Sequence, residues 1–154
     1  MPRIQSRRRR AGTASMEFAI CAPFMFGMFA VMADVGNLLR ARITLATAVA
    51  AAAEYAVLAG PTVTTANIQS VMQSVGTASG LTVIATVAAP GCYCPSAYPV
   101  SFSTATCGST CASNSLAPNT YVVISGKYTY APIATHMSKV VSTVLTETAT
   151  VPLK

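Results

Sequence analysis

An apolar run from Phe18 to Leu39 is the feature that most constrains this chain. As an α-helix, a run of 22 residues extends about 33 Å, which matches the roughly 30 Å hydrocarbon core of a bilayer. Strongly polar side chains enter the run only at Asp34 and Asn37, near its end. The run is also longer than the apolar core of a cleaved secretory signal peptide. We therefore predict a helix that spans a membrane.

The charged residues are sparse and unevenly placed around this run. They make up only 9% of the chain, against about 25% in an ordinary domain, which argues against a freely soluble cytosolic enzyme. Five of the ten Lys and Arg residues lie in the basic leader before the run, and Arg40 and Arg42 follow it closely. This bias places the N-terminus in the cytoplasm. The rest of the chain is nearly neutral, so we expect no nucleic-acid partner.

The helical pattern continues beyond the apolar run. Residues 43–57 keep apolar side chains at three- and four-residue spacing, with Ala at most other positions. Ala has the highest helix propensity and lets a neighbouring element pack closely. Gly60 followed by Pro61 is a strong stop signal. We therefore predict one long helix over residues 13–60, with residues 18–39 in the membrane and the remainder outside it.

Glu17 stands directly before the predicted span. A carboxylate at this position is unfavourable unless it is neutralised or paired, so Glu17 is a candidate functional residue. The alternative interpretation is a local one, in which Thr13 or Ser15 caps the helix and Glu17 stabilises its N-terminus. The two interpretations differ in whether the carboxylate acts on a second subunit.

The residues around Glu17 resemble a known processing signal. A basic leader, Gly12, Glu17, Phe18 and a long apolar helix form the arrangement of the class III signal sequences of type IV pilin-like proteins. Over residues 11–59 the chain resembles the TadE-like pseudopilins of the tight-adherence (Tad/Flp) pilus system. The stretches that carry this resemblance are Met16–Ala19, Pro23, Asp34–Gly36 and Ala51–Ala56.

The chain departs from the TadE-like pattern at two positions. Glu54 stands where that family usually has Arg, and Asn37 stands where a basic residue is frequent. Neither position lies in the predicted cleavage region, so neither departure affects the processing signal.

This resemblance implies a role in pilus assembly. A prepilin peptidase would cut between Gly12 and Thr13, and Glu17 and Phe18 would then act in assembly near the new N-terminus. The implied partners are that peptidase, other pilin-like subunits, the Tad inner-membrane assembly platform and the lipid bilayer. The expected function is that of a minor pseudopilin-like structural subunit with a role in adhesion or secretion. The alternative is an uncleaved single-pass membrane protein that carries a periplasmic binding or adhesion module.

Two further residues of the apolar run have structural interpretations. Pro23 cannot donate a backbone hydrogen bond inside a helix, so we expect a kink there and no chemistry. Asp34 is interpreted as a residue at the membrane exit, close to Arg40, and the alternative for it is a proton relay.

The C-terminal part, residues 61–154, has a different composition. Ser and Thr supply 28 of its 94 residues, and Glu147 is its sole acidic residue. Helical spacing predicts a short helix over 67–75, and alternation predicts strands over 81–87, 120–130 and 142–151. Residues 133–140 are expected to form a helical turn or a loop. The expected fold is α+β, a pilin-like lollipop whose long helix packs on a small antiparallel sheet in the periplasm.

Four cysteines, Cys92, Cys94, Cys107 and Cys111, lie in a predicted loop over residues 92–111. A small domain in an oxidising compartment favours disulfides, and four cysteines allow three pairings. A bond between Cys92 and Cys94 is geometrically poor, so links from that pair to the other two are favoured without a choice between them. A zinc site is the alternative, but the spacing is tight and no His is near, so we expect no metal.

Candidate catalytic residues are few in the C-terminal part. His136 is the sole His of the chain, and Glu147 is the sole acid after residue 61. The sequence contains no nucleophile elbow, no Gly-rich phosphate loop and no pair of His residues at metal-ligand spacing. We therefore expect no enzymatic activity and no cofactor.

Overall fold

The computed structural model describes residues 5–96, 100–133, 139 and 142–153. Within these residues the chain is α+β, with a long N-terminal helix followed by a small antiparallel sheet, which confirms the predicted class. The elements are α1 (Gln5–Ala59), a 3₁₀ turn (Gly60–Thr62), α2 (Thr65–Ala78), β1 (Ile84–Val87), β2 (Gly91–Ser96), β3 (Ser101–Thr104), β4 (Asn119–Thr129) and β5 (Val144–Pro152).

The chain divides into two compact units. The span unit comprises residues 1–39 and 131–142, and the sheet unit comprises residues 40–130 and 143–154. Helix α1 therefore contributes its first part to the span unit and its last part to the sheet unit.

Helix α1 ends where the sequence predicts and begins earlier than expected. Its last residue is Ala59, and Gly60 then adopts a positive φ of 63°, which ends the helical backbone before Pro61. It begins at Gln5 rather than Thr13, so the described part of the basic leader is helical too. Arg and Ala are good helix formers, and a single Gly12 costs only about 1 kcal/mol, which does not stop a helix.

Helix α2 is longer than the predicted 67–75 because both of its ends have capping interactions. The hydroxyl oxygen of Thr64 accepts a hydrogen bond from the Asn67 backbone N–H at 3.2 Å. At the other end Gly80 has a φ of 81°, and the Leu81 N–H donates to the Gly76 carbonyl at 2.9 Å. This six-to-one hydrogen bond closes the helix as a Schellman motif.

Strand β4 is the centre of the sheet. β5 pairs with it in antiparallel register from Tyr121↔Pro152 to Thr129↔Val144. β1 and β2 pair with two different stretches of β4, so they share its other edge, and β3 pairs with β2. The strands predicted over 81–87, 120–130 and 142–151 correspond to β1, β4 and β5.

The prediction of a loop over 92–111 is wrong in part, because β2 and β3 lie largely within this range and form a hairpin. The signal was missed because β2 contains Pro95 and two cysteines and lacks an apolar alternation. Its strand character comes from pairing with β4.

The core of the sheet unit lies between the last part of α1, α2 and the sheet. Close packing at Gly126 on β4 positions these elements, since a Cβ there would lie 2.8 Å from Val49 Cγ2 and 3.1 Å from Leu45 Cδ1. The buried residues that α1 supplies are small or medium in size, namely Ala41, Leu45, Ala48, Val49, Ala52 and Ala56. Residues from α2 and the sheet, including Ile68, Met72, Val122 and Ile124, complete the core.

Candidate functional site

The residues of the predicted processing and assembly site all lie on α1. Gly12 and Thr13 are part of one continuous helical backbone in the intact chain. Glu17 follows Thr13 by four residues, which is about 6 Å along a helix axis and brings the two positions to the same face. Glu17 is exposed, and the neighbouring Phe18 is 68% exposed. Both side chains are therefore available to a second molecule.

The start of α1 decides against the local interpretation of Glu17 in the intact chain. Glu17 lies twelve residues after Gln5, where the helix begins, and this is about 18 Å along the axis. The helix dipole acts mainly on the first and last turns, so it gives little stabilisation to a carboxylate at this depth. Only removal of the leader would return Glu17 to the first turns of the helix.

The part of α1 after Glu17 presents large apolar side chains to its surroundings. One helix of the described residues is long and apolar enough to cross a membrane, and it lies near the N-terminus. Its large exposed residues include Phe18, Ile20, Phe24, Met25, Phe26, Met28, Phe29, Met32 and Leu39. A continuous apolar surface of this kind is unfavourable in water and is suited to lipid or to partner helices.

Pro23 lies inside α1, which remains one helix across it. A proline at this position cannot donate to the carbonyl of Ala19, four residues earlier, so that acceptor lacks its intrahelical partner. The predicted kink stays a prediction. Cys21, two residues before Pro23, is a free and exposed cysteine.

Asp34 differs from every other residue of the apolar run, because its carboxylate is fully buried. The backbone N–H of Ile133 donates to Asp34 Oδ1 at 2.7 Å, across 99 positions of sequence. Both residues belong to the span unit. Asp34 stands out in the sequence but this partner does not, since nothing in the sequence links the helix to the β4–β5 connection.

The four cysteines of the sheet unit form two disulfides. Cys92 bonds to Cys107, and Cys94 bonds to Cys111. Cys92 and Cys94 are alternate residues of β2, so their side chains point to the same face and both reach the segment after β3. All four sulfur atoms are thereby occupied, which leaves no thiolate among them for the zinc alternative.

An aromatic cluster lies near the disulfides. The rings of Tyr93 and Tyr121 meet edge to face with centroids 6.2 Å apart, and the Phe102 ring lies 5.1 Å from that of Tyr121. The cluster joins β2, β3 and β4 on one side of the sheet, where it supports the hairpin that carries the cysteines.

The candidate catalytic residues do not form a site in the described part of the chain. Glu147 lies on β5, and its Oε1 accepts a hydrogen bond from Arg42 Nε at 3.4 Å in a solvent-accessible ion pair. His136 lies outside the described residues, so the structure does not bear on it.

The comparison with protein families agrees with this location of the candidate site. A family model described as TadE-like protein matches residues 12–54. The match begins at Gly12 and covers the apolar run 18–39 and most of the rest of α1. This confirms the resemblance over that segment. No curated protein and no solved structure matches the chain.

Proposed function

We propose that this chain is a minor pseudopilin-like subunit for assembly of a tight-adherence pilus. The observation that carries the proposal is the coincidence of the TadE-like match with an exposed Glu17–Phe18 pair, which stands where the apolar part of α1 begins. The chain would be anchored in the inner membrane by one span, with the N-terminus in the cytoplasm and the sheet unit in the periplasm.

The mechanism begins with processing. The prepilin peptidase cuts between Gly12 and Thr13, which removes the cationic leader and creates an amino group on Thr13. That amino group then stands at the start of an apolar helix, where an unpaired charge is strongly unfavourable. A carboxylate in the apolar environment has the same need for a partner.

Glu17 of one subunit supplies the charge partner for the Thr13 amino group of the neighbouring subunit. Its exposed carboxylate neutralises the Thr13 amino group of a neighbouring subunit and so sets the axial position at which the two helices pack. Phe18 and the large residues after it supply the apolar contact. Partners of this kind are other pilin-like subunits and the Tad assembly platform in the membrane.

Substitution of Glu17 tests this mechanism. Glu17→Ala should leave membrane insertion intact and should reduce pilus yield and co-purification with partner pilins, while Glu17→Asp, one methylene shorter, should fall between. Glu54→Ala is the matched control, because Glu54 is an exposed acid of the same helix beyond the span. Normal pili and normal partner recovery with Glu17→Ala would refute the mechanism.

A second variant tests processing separately. Gly12→Val places a branched side chain at the cleavage position, so the N-terminal leader should be retained, as mass spectrometry of the extracted protein would show. If the wild-type protein also keeps residues 1–12, the alternative of an uncleaved membrane-anchored binding or adhesion module is supported.

A further inference from the structure

We infer that the start of the connection between β4 and β5, residues 131–133, is a second membrane-contacting segment, held at the bilayer surface by Asp34, with Ile133 inserted among the lipids. The inference rests on the proposed function only in requiring that α1 spans a bilayer. Its basis is the hydrogen bond from the Ile133 N–H to the buried Asp34 carboxylate.

The depth of Ile133 follows from the position of Asp34. Asp34 lies five residues before Leu39, the end of the apolar run, and this is about 7.5 Å along the helix. Interfacial elements bury their apolar faces about 5–10 Å into the boundary between headgroups and acyl chains. Ile133, whose nitrogen lies 2.7 Å from Asp34 Oδ1, is therefore at the depth of such an element.

The side chains at this depth are suited to lipid. Ile133 is 66% exposed although it is a large apolar residue, and Met32 and Val35, close to Asp34 on α1, are 62% and 42% exposed. Ile133 therefore adds a large exposed apolar side chain at the depth of Met32 and Val35. A lipid surface covers all three without a further partner protein.

The backbone of the connection is also suited to this depth. Unpaired backbone N–H groups are strongly unfavourable in the apolar part of a bilayer. Pro132 has no N–H, and the N–H of Ile133 is satisfied by Asp34. Two successive residues thus expose no unpaired donor where Ile133 enters the lipid.

Asp34 acts here as a positioning residue. A buried carboxylate in an apolar helix is unfavourable unless it accepts hydrogen bonds, and the connection supplies one. The same hydrogen bond holds the connection against α1. This accounts for an acidic residue inside the span without assigning it to proton transfer.

Spin labels on the full chain, reconstituted in phosphatidylethanolamine–phosphatidylglycerol vesicles, would test this inference. In a Cys21→Ala background, single cysteines replace Ile133, Ile84 and Met28, which have exposed fractions of 66%, 58% and 62%. Ile84 is the matched isoleucine of the sheet unit, and Met28 reports on the span itself. The readout is the ratio of collisions with oxygen, which concentrates in lipid, to collisions with a polar nickel chelate.

The Ile133 label should show an oxygen-to-nickel ratio several-fold above that of the Ile84 label. Asp34→Ala should lower the Ile133 ratio to the Ile84 value without changing the Met28 ratio. Asp34→Asn keeps a side-chain carbonyl oxygen that accepts the same hydrogen bond, so it should retain the high ratio.

Three results would contradict the inference. An Ile133 ratio equal to that of Ile84, with Met28 in lipid, overturns it and leaves the proposed function intact. An Ile133 label shielded from both reagents shows a protein contact between copies instead of lipid. A Met28 label in water refutes the membrane span, and with it both the proposed function and this inference.

Discussion

The two parts of helix α1 are both apolar, yet the first exposes its large side chains and the second buries mostly small ones. Residues 15–39 expose their large side chains, with Phe24 at 75% and Phe26 at 72%. Residues 40–59 bury small ones, with Ala48, Ala52 and Ala56 at 0%. Most residues of the first part are exposed, whereas the second part forms one wall of the core of the sheet unit.

This difference in side-chain size agrees with the two neighbours that are expected, lipid for the first part and the sheet for the second. A lipid environment adapts to any side chain, so large residues increase the apolar contact area there. A protein sheet is rigid, and a helix approaches it closely only where both surfaces are small. Gly126 on β4 has no side chain, and this leaves room for Leu45 and Val49 of α1.

The largest expected effect on stability comes from truncating a buried residue of the second part, and the matched truncation in the first part should have no effect. Leu45→Ala removes a fully buried side chain and should lower the unfolding free energy of the sheet unit by about 2–5 kcal/mol. Phe24→Ala, although it deletes more atoms, should leave that free energy unchanged. Guanidinium unfolding of the full chain in detergent, followed by tyrosine near-ultraviolet circular dichroism, measures both, and equal losses would break the comparison.

An arginine placed on the exposed surface of each part tests which of the two surfaces faces lipid and which faces water. Met28→Arg puts a cation near the middle of the span and should oppose insertion by about 2.5–3.5 kcal/mol. Leu58→Arg, at a residue that is 79% exposed in the second part, should have no effect on insertion. Alkaline extraction of membranes measures the inserted fraction, and equal retention of the two variants would show that residues 18–39 do not span a bilayer.

Gly→Ala substitutions compare the packing around the sheet unit with that around the first part of α1, with a smaller expected effect on stability. Gly126→Ala adds a methyl group 2.8 Å from Val49 Cγ2 and should destabilise the sheet unit by about 1–3 kcal/mol through overpacking. Gly36→Ala, in the first part of α1, meets nothing within 4 Å. It should be neutral or slightly stabilising, because Ala is a better helix former. The unfolding assay above distinguishes them, and a neutral Gly126→Ala would mean that α1 has room to move away from β4.

The ion pair between α1 and β5 should have the smallest effect. Arg42 and Glu147 are 3.4 Å apart, with 68% and 32% of their side chains exposed, so Arg42→Ala should cost only about 0.2–1 kcal/mol. That loss should shrink at high salt, which screens exposed charges. Arg40→Ala is the control on the same helix. A loss well above this range that persists in high salt would show that Arg42 stabilises the unit by packing.

Local patterns predicted the elements whose signals are contained in short stretches of sequence. The span, the stop at Gly60 and Pro61, and strands β4 and β5 were all found from spacing and composition. The predicted start of α1, Thr13, is too late. The prediction began the helix after the leader because the leader is expected to be cleaved, but Arg and Ala have high helix propensity and the described part of the leader is helical.

The elements that were missed depend on partners distant in sequence. The β2–β3 hairpin has weak strand propensity and forms because β2 pairs with β4 through Cys92↔Thr120 and its neighbours. The disulfide connectivity was open for the same reason, since the three possible pairings look alike until the hairpin places Cys92 and Cys94 on one face.

The sequence by itself determined which residues form the apolar helix and which carboxylates are unusual, and it predicted a processing signal, because each of these depends on neighbours along the chain. Only the tertiary structure decided that Asp34 accepts a hydrogen bond from Ile133 and that Leu45 and Val49 of α1 pack against Gly126. Contacts between residues so far apart in sequence form only when folding offsets the entropy of closing the intervening loop. A local sequence pattern does not show whether the contacts formed on folding offset that loop-closure entropy.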